Sequence, residues 1–103
     1  MADTIYGYEP THPGEVIKDE VEYRGISQRK LAEQLDMSYK ALYDLLNGRR
    51  PLTTSTAMMI EAALDIPADS LMRLQLKYNM QRTASDPSFM ERLKRIRRIA
   101  AVL

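Results

Sequence analysis

Residues 27–50 read Ser-Gln-Arg-Lys-Leu-Ala-Glu-Gln-Leu-Asp-Met-Ser-Tyr-Lys-Ala-Leu-Tyr-Asp-Leu-Leu-Asn-Gly-Arg-Arg, and they decide the fold. Two short amphipathic patterns lie here, each opened by a serine and separated only by the turn at Asp36, Met37 and Ser38. A serine hydroxyl accepts from an unpaired N–H of the first helical turn, so Ser27 and Ser38 predict two helix starts. Leu31 and Leu35 sit four apart on one face with small Ala32 beside them, where two helices must approach closely. Leu42, Leu45 and Leu46 form an inward stripe at i, i+3 and i+4. The opposite face carries Tyr39, Lys40, Tyr43, Asp44 and Asn47. Gly48 suits the left-handed residue that ends a helix. One helix braces, a tight turn follows, and a second helix is presented outward. That is the layout of a helix-turn-helix reader of the DNA major groove.

Working outward, His12-Pro13-Gly14-Glu15 predicts a helix entrance, with proline at the first position and glutamate in the first turn. Val16, Ile17 and Val21 give that helix its apolar side, and Gly25 breaks it. Beyond Pro51, Thr53 or Thr54 caps a fourth helix carrying Ala57, Ile60 and Leu64, which Pro67 ends. A fifth is expected from about Ala68 to Met80, apolar on two sides. Leu71, Leu74 and Tyr78 mark one face, and Met72, Leu76 and Met80 the other, a candidate dimer surface. Residues 81–85 read as a polar joint. Asp86-Pro87 then starts a basic amphipathic helix with Phe89, Leu93, Ile96, Ala100 and Leu103 at heptad spacing. Strand patterns are absent, so the expectation is all-α: a compact five-helix helix-turn-helix domain over residues 12–80, a flexible arm at 1–11, and an additional C-terminal helix at 86–103.

The 103 residues fit one domain, large enough for a stable core. Cysteine is absent, which excludes disulfides and thiolate metal sites and favours a reducing cytosol. A single histidine builds no metal cluster, and no cofactor is implied. No apolar run approaches the roughly 20 residues that span a membrane. The opening Met-Ala-Asp-Thr-Ile-Tyr has neither the basic nor the apolar region of a secretory signal. Net charge is only +1, but its distribution is uneven. Residues 1–23 hold one basic against six acidic side chains, and residues 24–50 hold six basic against three acidic. Residues 51–85 balance, and residues 86–103 hold five basic against two acidic. Positive charge thus coincides with the helix-turn-helix and the tail, as a phosphate-facing surface needs. Glu15, Asp19, Glu20 and Glu22 read as a solvated helix face rather than catalytic carboxylates. No glycine-rich phosphate loop or nucleophile–base set is present, so an enzyme is not expected.

His-Pro-Gly-Glu, Ser-Gln-x-x-Leu-Ala, Leu-Asn-Gly-Arg-Arg, a threonine-capped helix and Leu-Gln-x-x-Tyr, spread over residues 12–78, resemble the HigA-type antitoxins of the Cro/cI-like (XRE) helix-turn-helix superfamily. The resemblance implies a dimeric repressor that binds a palindromic operator upstream of its own operon. It also implies a partner, a HigB-type toxin of the RelE-like fold that cleaves mRNA and is blocked by binding. Position by position, it places Gln28 and Arg49 against phosphates. Ser38, Lys40, Ala41 and Asp44 fall where the recognition helix reaches DNA, with Tyr39 and Tyr43 at the edge of the contact. Asp44 departs from the pattern, being acidic where the family often has a basic or neutral polar residue. A solitary or phage-derived regulator without a toxin is the alternative, and a protein-interaction module that has lost DNA binding a third.

Overall fold

The computed structural model describes residues 11–103; most of the arm expected at 1–11 lies outside them. Six helices occupy that span: α1 (Pro13–Tyr23), α2 (Gln28–Gln34), α3 (Tyr39–Leu46), α4 (Thr54–Leu64), α5 (Ala68–Ala84) and α6 (Pro87–Ala100). No strand occurs among the described residues. The chain divides into two compact units, Thr11–Leu76 and a second whose described part is Lys77–Leu103; α5 begins in one and ends in the other.

Side-chain caps start most of these helices. The Ser27 hydroxyl accepts from Lys30 N at 3.3 Å, Ser38 from Ala41 N at 3.0 Å, and Thr53 from Thr56 N at 3.3 Å. Each satisfies a donor that the first turn leaves unpaired. The ends of the first three helices also share one device. At the end of α1, Ile26 N donates to Val21 O and Gly25 N to Glu22 O. At the end of α2, Met37 N reaches Ala32 O and Asp36 N reaches Glu33 O. At the end of α3, Arg49 N reaches Asp44 O and Gly48 N reaches Leu45 O. This paired bonding requires a left-handed residue, and Gly25, Asp36 and Gly48 have φ of 66°, 55° and 71°. Asp36 takes that conformation without being glycine, which aspartate tolerates better than most residues. The motif folds the following residue back, so Ile26 and Met37 pack against the core.

That core belongs to the first unit. Ile17 and Val21 of α1, Leu31 and Ala32 of α2, and Leu42, Leu45 and Leu46 of α3 are buried. Leu35, Leu52, Ala57, Ile60, Leu64 and Leu71 complete it. α3 packs against both α1 and α2. The approach to α1 is close: a Cβ on Gly14 would stand 1.9 Å from the Leu45 carbonyl oxygen. Arg24, just past α1, donates through Nη2 to the Leu64 carbonyl at 2.6 Å, satisfying an acceptor at the end of α4. Gln75, polar yet buried, accepts from Leu52 N at 2.8 Å and so holds the α3–α4 loop against α5.

The second unit holds one departure from expectation. The joint expected at 81–85 is mostly helix, since α5 continues to Ala84. Gln81, Arg82 and Ala84 are strong helix formers, and their lack of an apolar period describes an exposed helix as well as a loop. The break is confined to Ser85 and Asp86, where Ser85 N donates back to Gln81 O. Asp86 Oδ1 accepts from Ser88 N and Phe89 N at 3.0 and 3.3 Å and starts α6. Phe89 and Leu93 are half-buried, whereas Ile96, Ile99 and Val102 are 51–84% exposed in the single chain.

Candidate nucleic-acid interface

The candidate surface is built on α3 and the turn that follows it. With Leu42, Leu45 and Leu46 buried, the helix period forces Tyr39, Lys40, Tyr43 and Asp44 outward. Arg49 joins them because its own N–H donates to the Asp44 carbonyl at 2.7 Å, folding the chain back over the helix end. Tyr39, Lys40, Tyr43, Asp44 and Arg49 thus line one shallow hollow.

A tyrosine pair flanked by two arginines runs along its edge. The Tyr39 and Tyr43 ring centroids lie 6.0 Å apart at a 45° tilt. The Arg29 guanidinium stands 4.1 Å from the Tyr39 centroid, and that of Arg49 stands 5.6 Å from the Tyr43 centroid. Such contacts stabilise by about 0.5–1 kcal/mol at exposed positions, and here they orient two guanidinium groups at opposite ends of a tyrosine pair. Arg29 was not among the residues singled out from sequence. Its neighbour Tyr39 lies ten positions on, a spacing no helical period connects.

Asp44 carries the negative charge of the surface. Lys40 Nζ donates to Asp44 Oδ2 at 2.9 Å, and Arg49 Nη1 lies 4.0 Å from Oδ1. The Lys40 hydrogen bond, aided by the charges of Lys40, Arg49 and Arg50, holds the Asp44 carboxyl below its ordinary range against a smaller desolvation effect. The two cations reach outward and the carboxylate lies behind them: side-chain exposure is 82% for Lys40, 63% for Arg49 and 20% for Asp44.

The remaining sequence candidates lie around this hollow. Ala41 lines a second depression with Met37, Leu45, Arg50, Pro51, Thr53 and Thr56. The Ser38 hydroxyl is engaged as the α3 cap. Gln28 is the first residue of α2 and half-buried, and no contact brings it into either depression. On α5, Leu76 and Met80 are 61% and 42% exposed, but Met72 packs against the core. His12 does more than open a helix. Its Nδ1 accepts from Gly14 N at 2.9 Å, its ring hydrogen-bonds the Arg50 backbone, and a Cβ on Gly48 would lie 3.6 Å from its Cγ. One buried imidazole thereby joins the start of α1 to the turn that carries the arginines. Burial pushes its pKa below the ordinary 6.5.

Two adjacent short helices, a tight turn and an outward polar face on the second define a helix-turn-helix protein. The Helix-turn-helix family matches residues 17–71, and the chain belongs to that family. Among solved structures it resembles HigA antitoxins. One is "Pseudomonas aeruginosa antitoxin HigA with higBA promoter", 27% identical with a TM-score of 0.68, covering 85% of this chain and 91% of that one. Another is an addiction module antidote protein of the HigA family from Coxiella burnetii, 26% identical with a TM-score of 0.67, covering 74% and 84%. Virulence-associated protein A' of Dichelobacter nodosus is 31% identical over 72 residues, which are 69% of this chain. The match spans 63% of that relative's length.

Proposed function

We propose that the chain is a DNA-binding repressor and the antitoxin of a toxin–antitoxin pair. In this reading it acts in the cytosol, binds a palindromic operator of its own operon as a homodimer, and neutralises a HigB-like mRNA-cleaving toxin. The observation that carries the DNA half is the hollow on α3. Lys40 on α3 and Arg49 in the turn after it are presented outward, while the other face of the helix is core. The likeness to a HigA determined with its promoter supports the same half, and the likeness to HigA-family antidotes supports the antitoxin half.

Residues 12–80 form the DNA-binding domain, and α6 is an additional basic element. Arg49 and Gln28 anchor phosphates, while Ser38, Lys40 and Ala41 sit toward base edges, with Tyr39 and Tyr43 at the rim. Leu76 and Met80 contribute to the two-fold interface. The test has two arms. Fluorescence anisotropy with a duplex from the promoter region of the chain's own gene should give saturable binding that a shuffled duplex competes poorly. Co-expression with a HigB-like protein encoded next to it should relieve that protein's toxicity. Equal affinity for both duplexes rejects the repressor, and unrelieved toxicity rejects the antitoxin.

A further inference from the structure

A carboxylate at the centre of a phosphate-facing surface needs a reason. Two features fix Asp44 there. It follows Lys40 by one helical turn, so the ammonium closes on Oδ2 at 2.9 Å. The chain reversal at Gly48 brings Arg49 back over it, with the main chains bonded at 2.7 Å and the guanidinium 4.0 Å from Oδ1. Oδ1 has no hydrogen-bond partner and is shut off from solvent. Lys40 is thus committed in advance to an internal anion, while Arg49 stands at the edge of ion-pair distance from it.

Resting on the repressor reading above, we propose that Asp44 is a specificity-determining residue that withholds Lys40 from phosphates and favours poses in which its ammonium meets base edges. A phosphate that captures Lys40 competes with Asp44 for the ammonium and leaves an unpaired carboxylate facing the polyanion. The two charges then lie well within the Debye length of about 8 Å, so the repulsion is not screened away. A base acceptor imposes no such exchange. The ammonium has three donors, and one can stay on Asp44 while another reaches guanine O6 or N7. Asp44 therefore opposes the sequence-independent mode of binding more than the sequence-dependent one. Direct reading of a cytosine amino group by Asp44 itself is the competing role, and the two have opposite consequences.

The test uses the full chain with Asp44→Asn, which keeps shape and removes charge, and with Asp44→Ser as a second variant. Each is titrated by anisotropy against the promoter duplex and a shuffled duplex of equal length, over a range of salt. Both variants should bind the shuffled duplex severalfold more tightly, with a salt slope steeper by about one. The ratio of promoter to shuffled affinity should fall. Adding Lys40→Ala to Asp44→Asn should remove most of the gain. Lost promoter affinity with unchanged shuffled binding would assign Asp44 to direct base reading and overturn the proposal, as would no change on either duplex. Wild-type protein that does not distinguish the two duplexes would instead reject the repressor reading on which the proposal rests.

Discussion

At the scale of single residues, the outward face of α3 makes separable claims. Arg49→Ala should weaken binding to every duplex alike and reduce the salt slope by about one, because a phosphate contact carries no sequence. Lys40→Ala should shift base preference, by roughly 1–3 kcal/mol if it meets a guanine. His12 links stability to pH. Its pKa in the folded chain lies below the ordinary 6.5, so the unfolded chain takes up the proton first. The His12 contribution is therefore fully present above about pH 6.5 and is lost as pH falls through 6.5 toward the folded value. In thermal melts between pH 7.5 and 5, wild type should lose more of its Tm than His12→Asn, which keeps a capping side chain but does not titrate. Ser27 and Ser38 were legible as caps, and the α4 cap as Thr53 or Thr54, because the signal is local, one side chain acting on the backbone three residues away; the structure selects Thr53. His12 was legible as a helix entrance only. Its reach to Gly48 and Arg50 spans more than thirty positions, and no period in the sequence encodes that.

Among elements, helix starts were easier to read than helix ends. An N-cap is a side-chain code, whereas the end of α5 depends on where polar residues cease to be helical, and Gln81, Arg82 and Thr83 do not announce it. Gln75 was missed for a related reason. Sequence pattern assigns a polar residue between Leu74 and Leu76 to solvent, yet its side-chain oxygen is needed inside by the Leu52 N–H. Gln75→Leu should leave that donor buried and unpaired, costing about 1–3 kcal/mol in denaturant unfolding with the m-value unchanged. The stripe of α6 was expected at heptad spacing from Phe89 to Leu103. Phe89 and Leu93 are half-covered, but Ile96, Ile99 and Val102 remain exposed in one chain.

For the whole molecule, the class of fold and the helix-turn-helix pair were legible because the leucine spacing of α2 and α3 admits only one inward face. On the face of α5 expected as a dimer surface, Met72 packs against the core, while Leu76 and Met80 stay exposed. Leu76→Glu should therefore weaken dimerisation in light scattering while sparing the melting temperature of the monomer. Met72→Glu should lower that temperature instead, since it inserts charge against packed apolar groups. Paired recognition helices would be expected about 34–36 Å apart, or a multiple of that distance. The contact between Gly14 and the Leu45 carbonyl bears on how such a reader moves. No side chain lies between the two helix backbones there, so no rotamer change can absorb a displacement of one relative to the other. A displacement of α1 at this point is therefore met by the backbone of α3 itself, with no side chain between them to yield.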